Sequence, residues 1–298
     1  MIDRIVLLLL LLGIGWAIRL TSIKVNRGRI DKIINTFTNL LYSLFFPLMF
    51  FNIFAERGLN LADLSITILV FSYTIISLAI LYMVTHRYNK KLRNAIIVTA
   101  IFPNVIFLGF PVVITLCGDI TYASLYSLVM LVLNITVGGL LGMQRHEIVW
   151  SIIKLPILYG FASGVVAHYV IGDIAITFTS FAKTITSVIS TYGAAMVMGY
   201  SIPASTTVLS QYYKLIGLQI IYRFAASPLI HHILTIPLIL PYEAYRQVII
   251  ESMMPPALTN TILARVHGWD YEYAASTTLI TTLISLAVIP VLASLGIV

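Results

Sequence analysis

Two stretches of the chain combine prolines with amides in a way that interrupts a helix and leaves polar groups at the gap. The first reads Ile101-Phe102-Pro103-Asn104-Val105-Ile106-Phe107-Leu108-Gly109-Phe110-Pro111. The second reads Glu251-Ser252-Met253-Met254-Pro255-Pro256-Ala257-Leu258-Thr259-Asn260. A proline inside a helix removes a backbone donor, and its ring collides with the carbonyl four residues back. Pro103 with Pro111, and Pro255 with Pro256, therefore predict an unwound turn in each stretch. A break leaves a half-helix N-terminus whose free N–H groups and positive dipole suit an anion. The opposing carbonyl ends suit a cation such as sodium. Either stretch alone also reads as an ordinary proline kink. Matching breaks in two halves of one chain favour a binding site built from Pro103, Asn104, Gly109, Pro255, Thr259 and Asn260.

Three further side chains stand out because they are polar within apolar surroundings. Arg223 follows Lys214 by nine residues, about 14 Å along a helix, and a charge at such depth in a membrane must be paired or functional. It reads as a lure for an anionic ligand, or as a structural partner of a carboxylate or of broken-helix carbonyls. Glu251 follows Glu243 by eight residues, about 12 Å. It could carry a proton, ligate sodium, sit at the interface or pair with Arg223. Asn134 lies mid-segment and reads either as a lining residue or as an interhelical hydrogen bond. His231 and His232 lack an acid or cysteine at ligand spacing and read as helix-end residues.

The elements that must position these groups are apolar. Of 298 residues, 59% are hydrophobic and 10% charged, against about 25% charged in soluble domains. Lipid must therefore solvate much of the surface. Ten apolar segments can be placed, at roughly 4–20, 33–55, 64–85, 94–117, 120–142, 148–171, 177–200, 209–240, 245–266 and 272–296. The basic residues sit in short loops between them, which points to membrane topology rather than nucleic acid. Of the 18 Lys and Arg, thirteen fall in the odd loops, in clusters such as Arg19–Lys32 and Arg87–Arg93. Four, namely Arg4, Arg57, Lys183 and Arg246, fall at the N-terminus or in even loops. That asymmetry places the odd loops in the cytoplasm and both termini outside. The first apolar run resembles a signal peptide, but the basic stretch directly behind it favours a retained helix. Pro47, Pro156, Pro203, Pro237 and Pro290 read as kinks or helix ends, and Lys183 as a side chain reaching the interface. The single Cys117 permits no disulfide within the chain and no zinc or iron–sulfur spacing. No cofactor is implied beyond proton or sodium coupling. No metalloprotease, nucleophile-elbow or phosphate-loop motif suggests an intramembrane enzyme.

A repeat is also visible. Asp119, Tyr122 and Ala123 recur as Asp270, Tyr273 and Ala274, an offset of 151 residues (270 − 119). Each set opens a segment, the fifth and the tenth. Five segments is an odd number, so a second copy enters the membrane upside down, the inverted-repeat pattern of secondary transporters. The expected fold is an all-α polytopic membrane protein. Its ten transmembrane helices form two inverted five-helix repeats, residues 1–143 and 144–298, with broken helices 4 and 9.

Pro103-Asn104 followed by Gly109 and Pro111 resembles the Pro-Asn-x-x-x-x-Gly-x-Pro of the auxin efflux carrier family. Arg223-Phe224 with Pro228 is similar to its Arg-Phe-x-x-x-Pro, and Phe46-Pro47-Leu48 to its Val-Pro-Leu. Asn260 stands where plant members carry proline. The resemblance implies that helices 4 and 9 cross at their breaks. It implies a scaffold domain (helices 1, 2, 6 and 7) and a transport domain (helices 3–5 and 8–10), working as an elevator. It implies transport of a small organic anion, auxin or another carboxylate, by a plasma-membrane protein that forms homodimers among relatives. The related bile acid–sodium symporter fold keeps sodium coupling open. A drug/metabolite-type ten-helix transporter is the alternative of similar length, and it lacks the crossing pair.

Overall fold

The computed structural model describes residues 2–24, 27–142, 145–202 and 209–294. Pro203 lies outside them, as do the side chains of Arg4, Lys24, Arg27, Arg145 and Pro290. The described chain is helical, with no strand. In order the helices are α1 (Ile2–Lys24), α2 (Arg27–Leu40), α3 (Phe46–Arg57), α4 (Leu61–Thr85), α5 (Lys90–Ile101), α6 (Phe110–Cys117), α7 (Thr121–Gly142) and α8 (Arg145–Ile153). They continue as α9 (Pro156–Ile171), α10 (Asp173–Ser201), α11 (Leu209–Ile221), α12 (Ser227–Thr235), α13 (Tyr242–Ser252), α14 (Leu258–Val266) and α15 (Tyr271–Ser294). Among the described residues, five helices are long and apolar enough to cross a membrane: Ile5–Ser22, Gly28–Arg57, Leu61–Thr85, Thr121–Gly142 and Tyr271–Ile289. Three of the other expected segments, the fourth, sixth and ninth, are interrupted, and the eighth ends early.

The interruptions follow proline chemistry. The sixth segment, expected as one helix, stops at Ile153 and restarts at Pro156, whose missing N–H costs nothing in a first turn. The eighth ends at Thr235, short of its expected end, because Pro237 has no N–H to carry the helix on; Ile236 itself keeps helical dihedrals (φ −55°, ψ −47°). Three π turns, Leu41–Phe45, Val105–Gly109 and Tyr222–Ala226, each end two residues before a proline: Pro47, Pro111 and Pro228. In each, the carbonyl four residues before the proline lies within the wide turn. The ring is thus accommodated without unwinding the helix. Pro111 was expected to break its helix. Instead it sits as the second residue of α6, and the unwinding is confined to Phe102–Asn104.

The chain divides into two compact units. One comprises Met1–Leu61, Ile106–Thr115 and Ile153–Ala204; the other comprises Ala62–Val105, Leu116–Ile152 and Ser205–Val298. The first is held by close backbone approaches. A Cβ on Gly15 would lie 2.1 Å from the Met196 carbonyl oxygen, and one on Gly199 2.1 Å from that of Leu12, so α1 and α10 touch main chain to main chain. Likewise Gly160 and Gly164, four apart on α9, face Pro47 and Phe51 of α3. Small residues at such crossings are how membrane helices gain dispersion contact in a solvent that gives no hydrophobic drive. Phe46 packs edge-on to Phe107 and Phe110, and Asn52 Nδ2 donates to Thr186 Oγ1 at 2.9 Å. Lys183 pairs with Glu56 at 2.5 Å.

In the second unit Asp119 and Asp270 each cap the start of a helix. Gly118, at φ 77°, turns the chain so that Asp119 Oδ2 accepts from the Thr121 N–H opening α7. Asp270 Oδ1 accepts from the Tyr273 N–H opening α15. Acidic groups at helix N-termini satisfy donors that have no intrahelical partner. From α13, Gln247 Oε1 accepts from the Tyr122 and Ala123 N–H groups, while its Nε2 donates to Asp119.

Candidate functional site

The two breaks meet in the second unit. Pro103 and Pro256 face each other as an antiparallel bridge. The Asn104 N–H donates to the Pro255 carbonyl at 2.7 Å, and the Ala257 N–H to the Phe102 carbonyl at 3.0 Å. In such a pair the bonding is done by the neighbours of the two facing residues, which need no N–H of their own. The prolines therefore occupy the two places where a missing donor is harmless. They also press Phe102 (φ −99°, ψ 105°) and Pro255 toward extended backbone.

Breaking α5 and α13 orphans their last carbonyls, and a single side chain collects them. Arg223, completely buried, projects from the π turn Tyr222–Ala226. Its Nε donates to the Met254 carbonyl at 2.9 Å, one terminal nitrogen to those of Ala100 (2.8 Å) and Ile101 (3.3 Å), and the other to that of Ser252 (2.9 Å). Tyr73 Oη donates to Ile101 O, and Ser227 Oγ to Ser252 O. The electrostatics balance: two helix carboxyl ends of about −0.5 charge each meet one guanidinium charge of +1. Of the roles open to Arg223 in the sequence, the geometry is that of the broken-helix carbonyl partner.

Asn260 bridges the same crossing from α14. Its Nδ2 donates to the Phe102 carbonyl (2.8 Å) and the Val98 carbonyl (3.1 Å), and its Oδ1 accepts from Asn134 Nδ2 at 3.0 Å. Asn134 Nδ2 also lies 3.4 Å from Thr259 Oγ1. The fold thus gathers Asn134, Thr259 and Asn260 at the first turn of α14, where the helix's leading N–H groups lack intrahelical partners. Thr259 is exposed, and Asn134 Oδ1 finds no hydrogen-bond partner among the described residues. Asn104 is buried beside its bridge. Gly109 and Pro111 belong to the first unit, not to this cluster.

Glu251 is completely buried in the last turn of α13. Neither carboxylate oxygen finds a hydrogen-bond partner among the described residues, and no ion pair joins it to Arg223. His231, expected at a helix end, is buried: its Nδ1 donates to the Ser227 carbonyl (2.8 Å), leaving Nε2 to accept from Tyr126 Oη (3.0 Å). His232 stays at the surface against Tyr245. Tyr73 and Ser227 reach the crossing with no individual signal in the sequence.

Compared with known families, residues 5–149 match the model of a membrane transport protein family. No curated protein matches the chain. The match lies over α1–α7 and the opening of α8, and includes the broken fourth segment with Pro103, Asn104, Gly109 and Pro111. That match, over 145 of the 298 residues, supports the auxin efflux carrier-like family of membrane transport proteins.

Proposed function

We propose that the chain is a secondary carrier of small organic anions, carboxylates above all, working as ten spans in two inverted five-helix repeats. One observation carries this reading: two broken helices joined at Pro103 and Pro256, with the start of α14 beside Asn134 and the exposed Thr259. The carbonyl ends of the crossing are neutralised by Arg223, whereas the start of α14 keeps its partial positive charge. An anion is the ligand such an imbalance favours. Asn134 and Thr259 would orient the carboxylate, with Asn104 and Asn260 holding the crossing in shape. The unit containing the crossing would be the moving transport domain of an elevator, and the unit built on α1, α3, α9 and α10 its scaffold. The setting is a lipid bilayer, the plasma membrane, with both termini outside and a homodimer as the assembled form.

The drug/metabolite-type alternative expects no crossing pair, so the Pro103–Pro256 bridge speaks against it. A bile acid–sodium symporter-like carrier expects open carbonyls for sodium, and those of this crossing already accept from Arg223 and Asn260. A thermal-shift screen of small carboxylates tests the proposal, because a ligand of the folded state raises its apparent stability. Stabilisation by monocarboxylates or dicarboxylates, and not by matched neutral amides, is expected. Equal stabilisation by cations or neutral amines would overturn it.

A further inference from the structure

Glu251 is a buried acid that the crossing does not use. Its carboxylate has no donor from any described residue, although α13 is packed on α7 and α12. The ionisable groups that act on it electrostatically are Arg223 from the π turn, Tyr126 from α7 and Cys117 from the end of α6. The other titratable groups nearby are engaged elsewhere: His231 of α12 with Ser227 and Tyr126, Tyr73 of α4 with Ile101, Asp119 with Gln247. Arg223 makes no hydrogen bond to the acid: four carbonyls, those of Ala100, Ile101, Ser252 and Met254, occupy its N–H groups instead. An ionised carboxylate without a donor at that depth is strongly disfavoured.

Two cations could relieve it, a metal ion or a proton. Sodium needs a shell of oxygens. The described residues include no group of three His, Cys, Asp or Glu that could hold a metal, and the orphaned carbonyls beside Glu251 already accept hydrogen bonds. The guanidinium close by repels a second full charge. A proton needs only the carboxylate itself.

Building on the organic-anion reading above, we propose that Glu251 is the proton-binding site of the carrier, and that it couples one proton to each anion. An O–H bond forms at Glu251 with a proton taken from the water on the loading side. This removes a negative charge at the end of α13, seven residues ahead of the start of α14 at Leu258, as the anion arrives. The same O–H bond breaks, and the proton returns to water, on the side where the anion leaves. By linkage, one coupled proton weakens anion binding about tenfold for each pH unit above the proton-binding range.

The test uses the full chain in lipid nanodiscs, wild type against Glu251→Gln, with benzoate as probe. Infrared spectra should contain the C=O stretch of a protonated carboxylic acid in the wild type and lose it in Glu251→Gln. Glu251→Asp, which keeps the acid one methylene shorter, should shift that band, and serves if the glutamine variant does not fold. Benzoate affinity should fall with rising pH in the wild type and stay flat and tight in Glu251→Gln, alike in sodium and potassium buffers. An infrared band unchanged by both substitutions would overturn the proposal, and so would a wild-type pH profile in Glu251→Gln. Sodium-dependent binding that vanishes with Glu251 would overturn it in favour of a metal cation. Failure of every carboxylate to bind at any pH would defeat the carrier reading and the coupling together, while the Glu251-dependent band would still identify a proton site.

Discussion

Replacing Arg223 with glutamine should destabilise the second unit by an amount that can be worked from its contacts. The guanidinium serves four carbonyls, those of Ala100, Ile101, Ser252 and Met254. After its removal, Ile101 keeps Tyr73 and Ser252 keeps Ser227. Ala100 and Met254 lose the donor that Arg223 supplied. A buried acceptor left unmet costs about 1–3 kcal/mol. Loss of the countercharge at two helix carboxyl ends adds about 0.3–1 kcal/mol each. The sum is about 3–8 kcal/mol. At a few degrees per kcal/mol, the melting temperature in detergent should fall on the order of 10 °C or more. Arg223→Lys should recover only part of this, since one ammonium cannot span carbonyls from both breaks. The assay is the thermal melt of purified protein, followed by intrinsic fluorescence. A melting temperature within a degree of wild type in Arg223→Gln would refute the view that this side chain holds the crossing together.

Asn260→Ala removes the donors to the Phe102 and Val98 carbonyls and should cost about 1–3 kcal/mol, read in the same melt. Thr259→Val, nearly isosteric and exposed, should melt like wild type. Gln247→Leu strips three partners from the start of α7 and should cost about 1 kcal/mol as a lost cap; hydrogen exchange should quicken at Tyr122 and Ala123. Gly15→Ala forces a methyl against the Met196 carbonyl, whereas Gly13→Ala meets nothing within 4 Å. The first should lose about 1–3 kcal/mol and the second none, a contrast that a paired melt reads directly.

The breaks themselves were legible, because proline cannot donate and constrains the residue before it; Pro103 and Pro255-Pro256 announced where α5 and α13 end. The extent of each break was not. Pro111 lies in intact helix because a π turn absorbs it, and one extra residue per turn leaves no trace in hydropathy. The apolar spacing likewise located the sixth segment but not the stop ahead of Pro156. Polar residues were read as candidates without partners. Asn134, Thr259 and Asn260 do assemble, as a hydrogen-bonded chain. Arg223 spends its donors on backbone carbonyls, which carry no sequence signature at all. Tyr73, one of 17 tyrosines, and Ser227 reach the crossing only through tertiary packing of α4 and α12 against it. Asp119 and Asp270 carried no sign in the sequence that each would cap a helix start, because a cap depends on the turn that precedes it.

The most direct measurement of the central claim is uptake of radiolabelled benzoate by proteoliposomes containing the wild type, Thr259→Val, Asn134→Ala or Gly13→Ala. If the start of α14 holds the anion, wild type and Gly13→Ala accumulate label, while Thr259→Val and Asn134→Ala lose most of it with Thr259→Val still folded. Equal uptake by all four proteins would place the anion somewhere other than this crossing.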